Sequence, residues 1–437
     1  MRLTTALITC SCLVLGVVAV PRAGAVELDY RLGVGVEYSD NIDLAPVDRS
    51  SDTVLAPFAA FVLKHDGERF SAEGAGYFEH RSYRDSDIGS ELRSRAGLRA
   101  DWRILPQRLS WSVQNYLIDQ PIDTRSPGRP DNIQRTNVFI TGPTLTLRPR
   151  ADTRVLLEAR LADTRAQDTA EFDSRRVGGA VRGLRELNPR TTVSANLERL
   201  EVDVDRGAVQ ARDFDRTDLY GRVDHELQLT RLAVEAGATR VGGSGLGSRT
   251  EPLFRAQVDV RRGESLGLDF GAAYQVSDAT LDMVRIAPTL GDFDLAVRVP
   301  TLYIGEATVE LFQERRLSAG ARWQARGNQL RLGAYWREQD FLLSPDLDQD
   351  QTGVDLVFLR QVRPRLGIGA FAGHDRRSYD AVSRRDRDNR AGVFTNWQWS
   401  ANLGLGATVS RASRSSNVPL QGYTDNRVLV TLTWTRR

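Results

Sequence analysis

The chain is almost without lysine. Lys and Arg together number 59 in 437 residues, yet Lys64 is the single lysine, so 58 of the cations are arginines. Cysteine is confined to Cys10 and Cys12, and histidine to His65, His80, His225 and His374. No apolar run approaches the roughly 20 residues of a membrane-spanning helix, and mean hydropathy is −0.37. These shortages exclude whole classes. Without long apolar runs the chain is not a helical membrane protein. With 59 cations against 57 acids it is not a nucleic-acid binder that relies on a strongly basic surface. Thirty-seven glycines and 16 prolines, dispersed along the chain, are too few for a low-complexity sequence. No thiol lies beyond residue 12, and the histidines are too far apart for metal-ligand spacing, so no metal, cofactor or catalytic residue is expected. An apolar content of 41% leaves two classes: a large soluble β or α/β protein, or a membrane barrel whose apolar residues are hidden by alternation.

What is present begins with a leader. Arg2 gives a positive start, Ala6 to Val20 is apolar, and Ala23-Gly24-Ala25 is a small-residue cleavage motif, so residues 1–25 read as a secretory signal peptide. Cleavage near Ala25 leaves Val26 to Arg437, 412 residues without cysteine, and losing Arg2 and Arg22 brings the cations to 57, equal to the acids. An exported chain without disulfides must be held by a core or by closed backbone pairing.

The mature chain alternates with a period of two. Leu28, Tyr30, Leu32, Val34, Val36 and Tyr38 make the first stripe; Leu266, Leu268, Phe270, Ala272, Tyr274 and Val276 make another; Val428, Val430, Leu432 and Trp434 make the last. Successive strand side chains leave opposite faces of a sheet, so this is a strand signature, and no window shows sustained helical spacing. The strands read as long enough to cross the apolar layer, which takes about 9–11 residues. Tight turns such as those at Asp66-Gly67 and Asn188-Pro189 alternate with longer polar stretches, among them Gly242–Thr250, Ser378–Asp388 and Ala412–Asp425. The expectation is an all-β, transmembrane, antiparallel up-and-down β-barrel of about 20 strands (18–22), filling 26–437 as one domain. Trp102, Trp111, Trp323, Trp397, Trp399 and Trp434 all fall near short turns or the C-terminus, as an aromatic girdle at one membrane interface requires.

The faces opposite the apolar stripes carry both signs of charge. The lumen-facing candidates are Arg93, Arg95, Arg99, Asp101, Arg103, Glu158, Arg160, Asp218, Arg222, Asp224, Glu226, Arg255, Asp259, Arg331 and Arg337. They suit a structural ladder of guanidinium–carboxylate pairs, or a track for a charged or polyhydroxylated solute. Residues 278–312 form the longest connection and include Met283, Val284, Ile286 and Leu290, enough apolar surface to fold into the pore or to extend the wall as an external hairpin.

Val36-Glu37-Tyr38-Ser39-Asp40-Asn41-Ile42, followed by Leu44-Ala45-Pro46, resembles the Y-[ST]-D-N start of a family of porin-like outer-membrane β-barrels. That family accompanies exopolysaccharide operons and the PEP-CTERM protein-sorting system of Gram-negative bacteria. A second strand at Val54–Pro57 and a strand entry at Phe172-Asp173-Ser174-Arg175 extend the resemblance. It implies an outer-membrane location and a channel or export conduit with polysaccharide or another polymer as cargo, and it carries over no binding or catalytic residue. The expected partners are outer-membrane lipid and lipopolysaccharide, the barrel-assembly machinery during insertion, and polysaccharide or export machinery, with no nucleic acid. Two other readings stay open: a plugged barrel serving as a surface scaffold, and an outer-membrane hydrolase built on a histidine such as His225. Trp434 carries the last stripe, but Thr435-Arg436-Arg437 follow it where such barrels end on an aromatic residue.

Overall fold

The computed structural model describes residues 26–169, 172–204, 213–243, 245–286 and 310–436; residues 1–25, where the sequence leads one to expect a signal peptide, and 287–309 of the long connection lie outside the described residues. Twenty strands follow one another: β1 Glu27–Ser39, β2 Asp52–Asp66, β3 Phe70–Tyr83, β4 Glu91–Leu105, β5 Leu109–Pro121, β6 Ile133–Arg150, β7 Thr153–Ala166, β8 Ser174–Asn188, β9 Thr191–Val204 and β10 Phe214–Glu226. The second half comprises β11 Thr230–Gly243, β12 Gly247–Arg262, β13 Leu266–Ser277, β14 Phe312–Ala325, β15 Asn328–Phe341, β16 Gln349–Arg363, β17 Leu366–Tyr379, β18 Arg384–Gln398, β19 Leu403–Ser416 and β20 Tyr423–Arg436. Each strand pairs antiparallel with its sequence neighbours and β1 pairs with β20, so the sheet closes on itself. The chain is an all-β, closed, 20-stranded antiparallel barrel.

Alternation places the side chains. On β1, Leu32, Val34, Val36 and Tyr38 are exposed on the outer wall while Glu37 and Ser39 are buried on the inner one. This inverts a soluble protein's pattern and is what a lipid solvent demands. All six tryptophans of the girdle are exposed near the short-turn end, Trp397 stacking on Trp399 at 6.2 Å. Nine connections there have two to four residues. In one, Arg326 and Gly327 have φ of 48° and 76°, the mirror-image turn whose twist matches the flanking strands. At the other end the connections run from three residues to the 34 of 278–311.

Two expectations need correction. Gly242–Thr250, Ser378–Asp388 and Ala412–Asp425 are mostly strand; the connections shrink to 244–246, 380–383 and 417–422. The strands continue beyond the apolar layer, where both faces are polar and no apolar stripe marks them. The chain also contains a helix, α1 (Ala279–Ile286), too short for a helical period to stand out in the sequence.

The seam joining first and last strands is reinforced by the Ser39-Asp40-Asn41 motif. β1 and β20 pair from Tyr30↔Arg436 to Ser39↔Arg427. Beyond the last pair, Asp40 accepts the Asn426 backbone N–H at 2.7 Å and its side-chain amide at 2.6 Å. Asn41 donates to the carbonyls of Ala45 at 2.8 Å and Thr424 at 2.9 Å, and accepts the Ala45 N–H at 2.9 Å. Ser39 donates to Asp425 at 2.6 Å. The motif therefore folds its own loop, as a strand-ending Asp-Asn should, and clasps β20 as well.

Asn41→Ala is expected to cost about 1–3 kcal/mol of barrel stability, because it removes a fully buried amide that bonds partly buried carbonyls of two segments; the denaturant midpoint of refolded protein measures this. Burial pushes the Asp40 carboxyl up, but the two Asn426 hydrogen bonds, with Arg49 and Arg411 nearby, outweigh it and hold the carboxyl below its ordinary range. A depressed carboxylate stabilises the fold above about pH 4 and ceases to do so as pH falls through its lowered pKa. The stability gap between wild type and Asp40→Asn should accordingly narrow as pH is lowered from neutral toward 3 (roughly the range set by ordinary carboxylates). An unchanged gap would show that the Asp40 charge does not support the seam.

Candidate functional site

Closure of the sheet encloses a lumen, and barrels above about 16 strands leave it wide enough for water unless something fills it. Strand pairing places the candidate residues on the inner wall. On β4, Arg99 pairs with Asp101 at 2.9 Å and Arg93 with Glu91 at 2.9 Å, with Arg95 on the same face. Arg103 shares that face, but its guanidinium donates to the carbonyls of Gly67 and Glu68 at 3.0 and 2.8 Å, holding a turn at the lumen mouth.

From β7 to β12 the inner wall is one web of alternating charge. Arg160 pairs with Glu158 at 3.4 Å, and Arg182 bridges Glu158 and Glu198 at 3.2 and 2.8 Å. Arg222 meets Asp224 and Glu235, both at 2.6 Å, and Arg255 reaches Glu235 at 2.8 Å while lying over the Tyr220 ring. Asp218 is held by Arg216 at 2.7 Å, and Glu226 by Arg231 at 2.7 Å at the turn-side mouth. Asp259 accepts from Gln257 at 3.3 Å, and Arg331 lies on the inner face of β15.

The opposite wall is aromatic and glycine-rich, and the charge pattern gave no hint of it. Val357, Phe371 and Phe394 on β16–β18 form a buried inward cluster. The rings lie over glycines of adjacent strands: a Cβ at Gly369 would stand 2.3 Å from Phe394 Cζ, and one at Gly392 2.6 Å from Phe371 Cζ. Past the seam, Phe58 covers Gly33 in the same way and contacts Tyr77, their centroids 5.6 Å apart.

Two connections turn inward at the loop-side end. The described start of the long connection enters the lumen, which selects the pore-inserted placement for that part. Arg176 of β8 pairs with Asp278 at 3.0 Å and donates to Thr280 at 2.8 Å. Across the barrel, Arg337 of β15 binds both Asp282 of α1 and, at 2.9 Å, Glu314 of β14. Next to the second anchor, Met283 is fully buried in an apolar cluster with Tyr116, Ile118, Val138, Phe214 and Leu311. The second insertion is 122–132, between β5 and β6. Asn132 folds it by donating to the carbonyls of Asp123 at 2.8 Å and Pro127 at 3.0 Å. It reaches the far wall, where the Thr124 carbonyl accepts from Arg377 at 3.3 Å and Tyr379 at 3.4 Å, and the Arg125 carbonyl accepts from Arg384 and Arg414. Burial pushes the Asp123 carboxyl up, but the Arg125 amide, the Ser126 hydroxyl and the Arg125 guanidinium overcome it and hold the group below its ordinary range.

Of the residues that fasten these insertions, the sequence reading identified Arg337 alone. Arg176, Arg377, Arg384 and Arg414 follow the same inward parity, a signal obscured for Arg384 and Arg414 because Ser378–Asp388 and Ala412–Asp425 read as loops. All four histidines fall on outward positions: His225 bonds Thr191 at 2.9 Å and His374 bonds Asn389 at 2.7 Å. None therefore meets a lumenal Asp or Ser. Among the described residues no Asp, Glu, His or Cys cluster has metal-binding geometry.

Among solved structures, the chain is similar to the FrpB iron transporter from Neisseria meningitidis (F5-1 variant), at 9% identity over 94% of this chain and 83% of that one, with a TM-score of 0.48. It is similar to the outer membrane protein OpdK from Pseudomonas aeruginosa at 10% identity, over 94% of this chain and 99% of that one, TM-score 0.38. For the siderophore receptor PirA from the same organism the values are 12% identity, 94% and 81% coverage, and a TM-score of 0.43. No protein-family model and no curated relative matches the sequence.

Proposed function

We propose that the protein is an outer-membrane channel for polar solutes, constricted at its loop-side end by α1 and 122–132. The observation that carries this reading is the exposed, charge-balanced inner wall of the turn-side half: Arg99, Arg222 and the Arg231–Glu226 pair all keep substantial contact with solvent inside a closed barrel. A barrel that served only as a scaffold would need no wet wall, since polar side chains facing a packed interior cost free energy unless every one is paired.

The sequence resemblance extends the proposal to a secreted polysaccharide. In support, the turn-side half of the inner wall offers solvent-exposed guanidinium and carboxylate groups such as Arg99, Arg222 and Asp224 to the hydroxyls of a passing sugar chain. The scaffold reading is favoured by a different observation, the buried ion pairs and the Met283 cluster that fix α1 in the lumen.

Planar-bilayer recording of refolded protein separates the two. Wild type is expected to conduct, and replacing Ala279–Leu311 by a short Gly/Ser linker should raise the conductance while leaving β13 and β14 paired. Silence from both proteins would overturn the channel. A reversal potential near zero is expected in a KCl gradient, because lumenal charges of both signs balance. Arg222→Gln with Arg255→Gln removes two positive charges and should shift the preference toward cations; no shift would place the ion path elsewhere.

A further inference from the structure

We propose that the outer wall around β12–β17 is a binding site for a phosphorylated lipid of the surrounding leaflet. This rests on the barrel's being embedded in a membrane and not on conduction through its lumen. A groove of about 580 Å³ crosses this wall. Its floor is made by Ala256, Ala272, Ala319 and Ala334, small outward residues on four adjacent strands, with Phe270, Leu317 and Val354 beside them. The groove is oblique. It starts at Ala256 in the turn-side half of β12 and ends beside Trp336 and His374 in the loop-side halves of β15 and β17.

The groove ends at an unneutralised positive patch. The next outward residue of β17 after His374 is Arg376, which stands directly opposite Arg387 of β18, with Arg385 one outward position further along. All three are exposed, and among the described residues none has a carboxylate within ion-pair distance. Several outward arginines near the loop-side rim are paired, Arg165 with Asp163 at 3.0 Å, Arg199 with Glu201 at 3.0 Å and Arg315 with Glu338 at 2.7 Å, and Arg240 donates to Ser248 at 3.0 Å. Like charges directly opposite on adjacent strands destabilise a sheet, so the Arg376–Arg387 pair is a cost the fold bears unless an anion sits between them. Guanidinium forks fit phosphate oxygens bidentately. Glu338 and Asp340 on β15, Asp348 just before β16, Asp350 on β16 and Asp380 in the turn after β17 carry the opposite sign; Arg315 engages Glu338 at 2.7 Å, and this acidic side confines the anion to β17–β18. An apolar groove rising from the hydrocarbon region to a phosphate-sized positive patch has the shape of an amphiphile with its acyl chain below and its headgroup at the rim.

Native mass spectrometry of the refolded chain in detergent, titrated with diphosphoryl lipid A, tests the proposal. Arg376→Gln with Arg387→Gln should weaken binding about tenfold, as loss of paired charge contacts does. Ala319→Leu with Ala334→Leu, which fills the groove without altering charge, should weaken it comparably. Dephosphorylated lipid A should bind wild type as poorly as the phosphorylated lipid binds the arginine variant. Retained heat-modifiable gel migration shows that each variant is a folded barrel. Equal binding by wild type and both variants would overturn the proposal. So would displacement of the lipid by inorganic phosphate at equal concentration, or a groove variant that loses a dimer while keeping the lipid.

Discussion

Every backbone N–H and C=O that faces hydrocarbon must find its partner within the protein, because the bilayer core offers none. A closed sheet meets that demand without an edge, and the pairing of β1 with β20 is the step that makes this one closed. The rest of the architecture follows. Closure of an up-and-down sheet fixes the even strand number and brings both termini to the short-turn end. It sends alternate side chains to lipid and to the lumen, so one wall is apolar and the other polar along the same strands. It also makes the seam the one junction not tethered by a turn, which is where Ser39, Asp40 and Asn41 add hydrogen bonds to β20.

Near-complete use of arginine for positive charge suits that inner wall. A guanidinium stays charged in every environment and presents several donors in a fixed plane, so a single residue such as Arg182 bridges carboxylates on two neighbouring strands. The pairs are graded by depth. At the turn-side mouth, Arg231 and Glu226 are each more than half exposed, and such a pair contributes little. At the loop-side end, the Arg176 and Asp278 side chains are 4% and 1% exposed. There the loss of one partner leaves a buried charge uncompensated, at a cost of about 3–5 kcal/mol, whereas removing both is far milder.

Much of the fold was legible in the sequence because a membrane barrel writes its geometry in period two. The apolar stripes of β1, β13 and β20, the short turns and the tryptophans are all local signals, and together they led to 20 strands. The inward parity of Arg93, Glu158, Asp218 or Arg255 was equally readable, since each sits opposite an apolar stripe. What escaped depends on three dimensions. Arg176 and Asp278 are separated by about a hundred residues and meet only because 278–286 enters the lumen. Gly369 and Gly392 look like interchangeable strand glycines until the Phe394 and Phe371 rings are seen lying over them. The upper parts of β12, β17 and β19 carry polar residues on both faces, so alternation lost its contrast there and they read as loops.

The short helix touches the barrel at two widely separated places, through Asp278 and Thr280 to β8 and through Asp282 to β15. Asp278 and Asp282 are four residues apart, about one helical turn or roughly 6 Å, so the two arginines reach in from different walls to a single turn. That turn acts as a keystone: β8 and β15, which exchange no backbone hydrogen bond, are joined through the side chains of five consecutive residues.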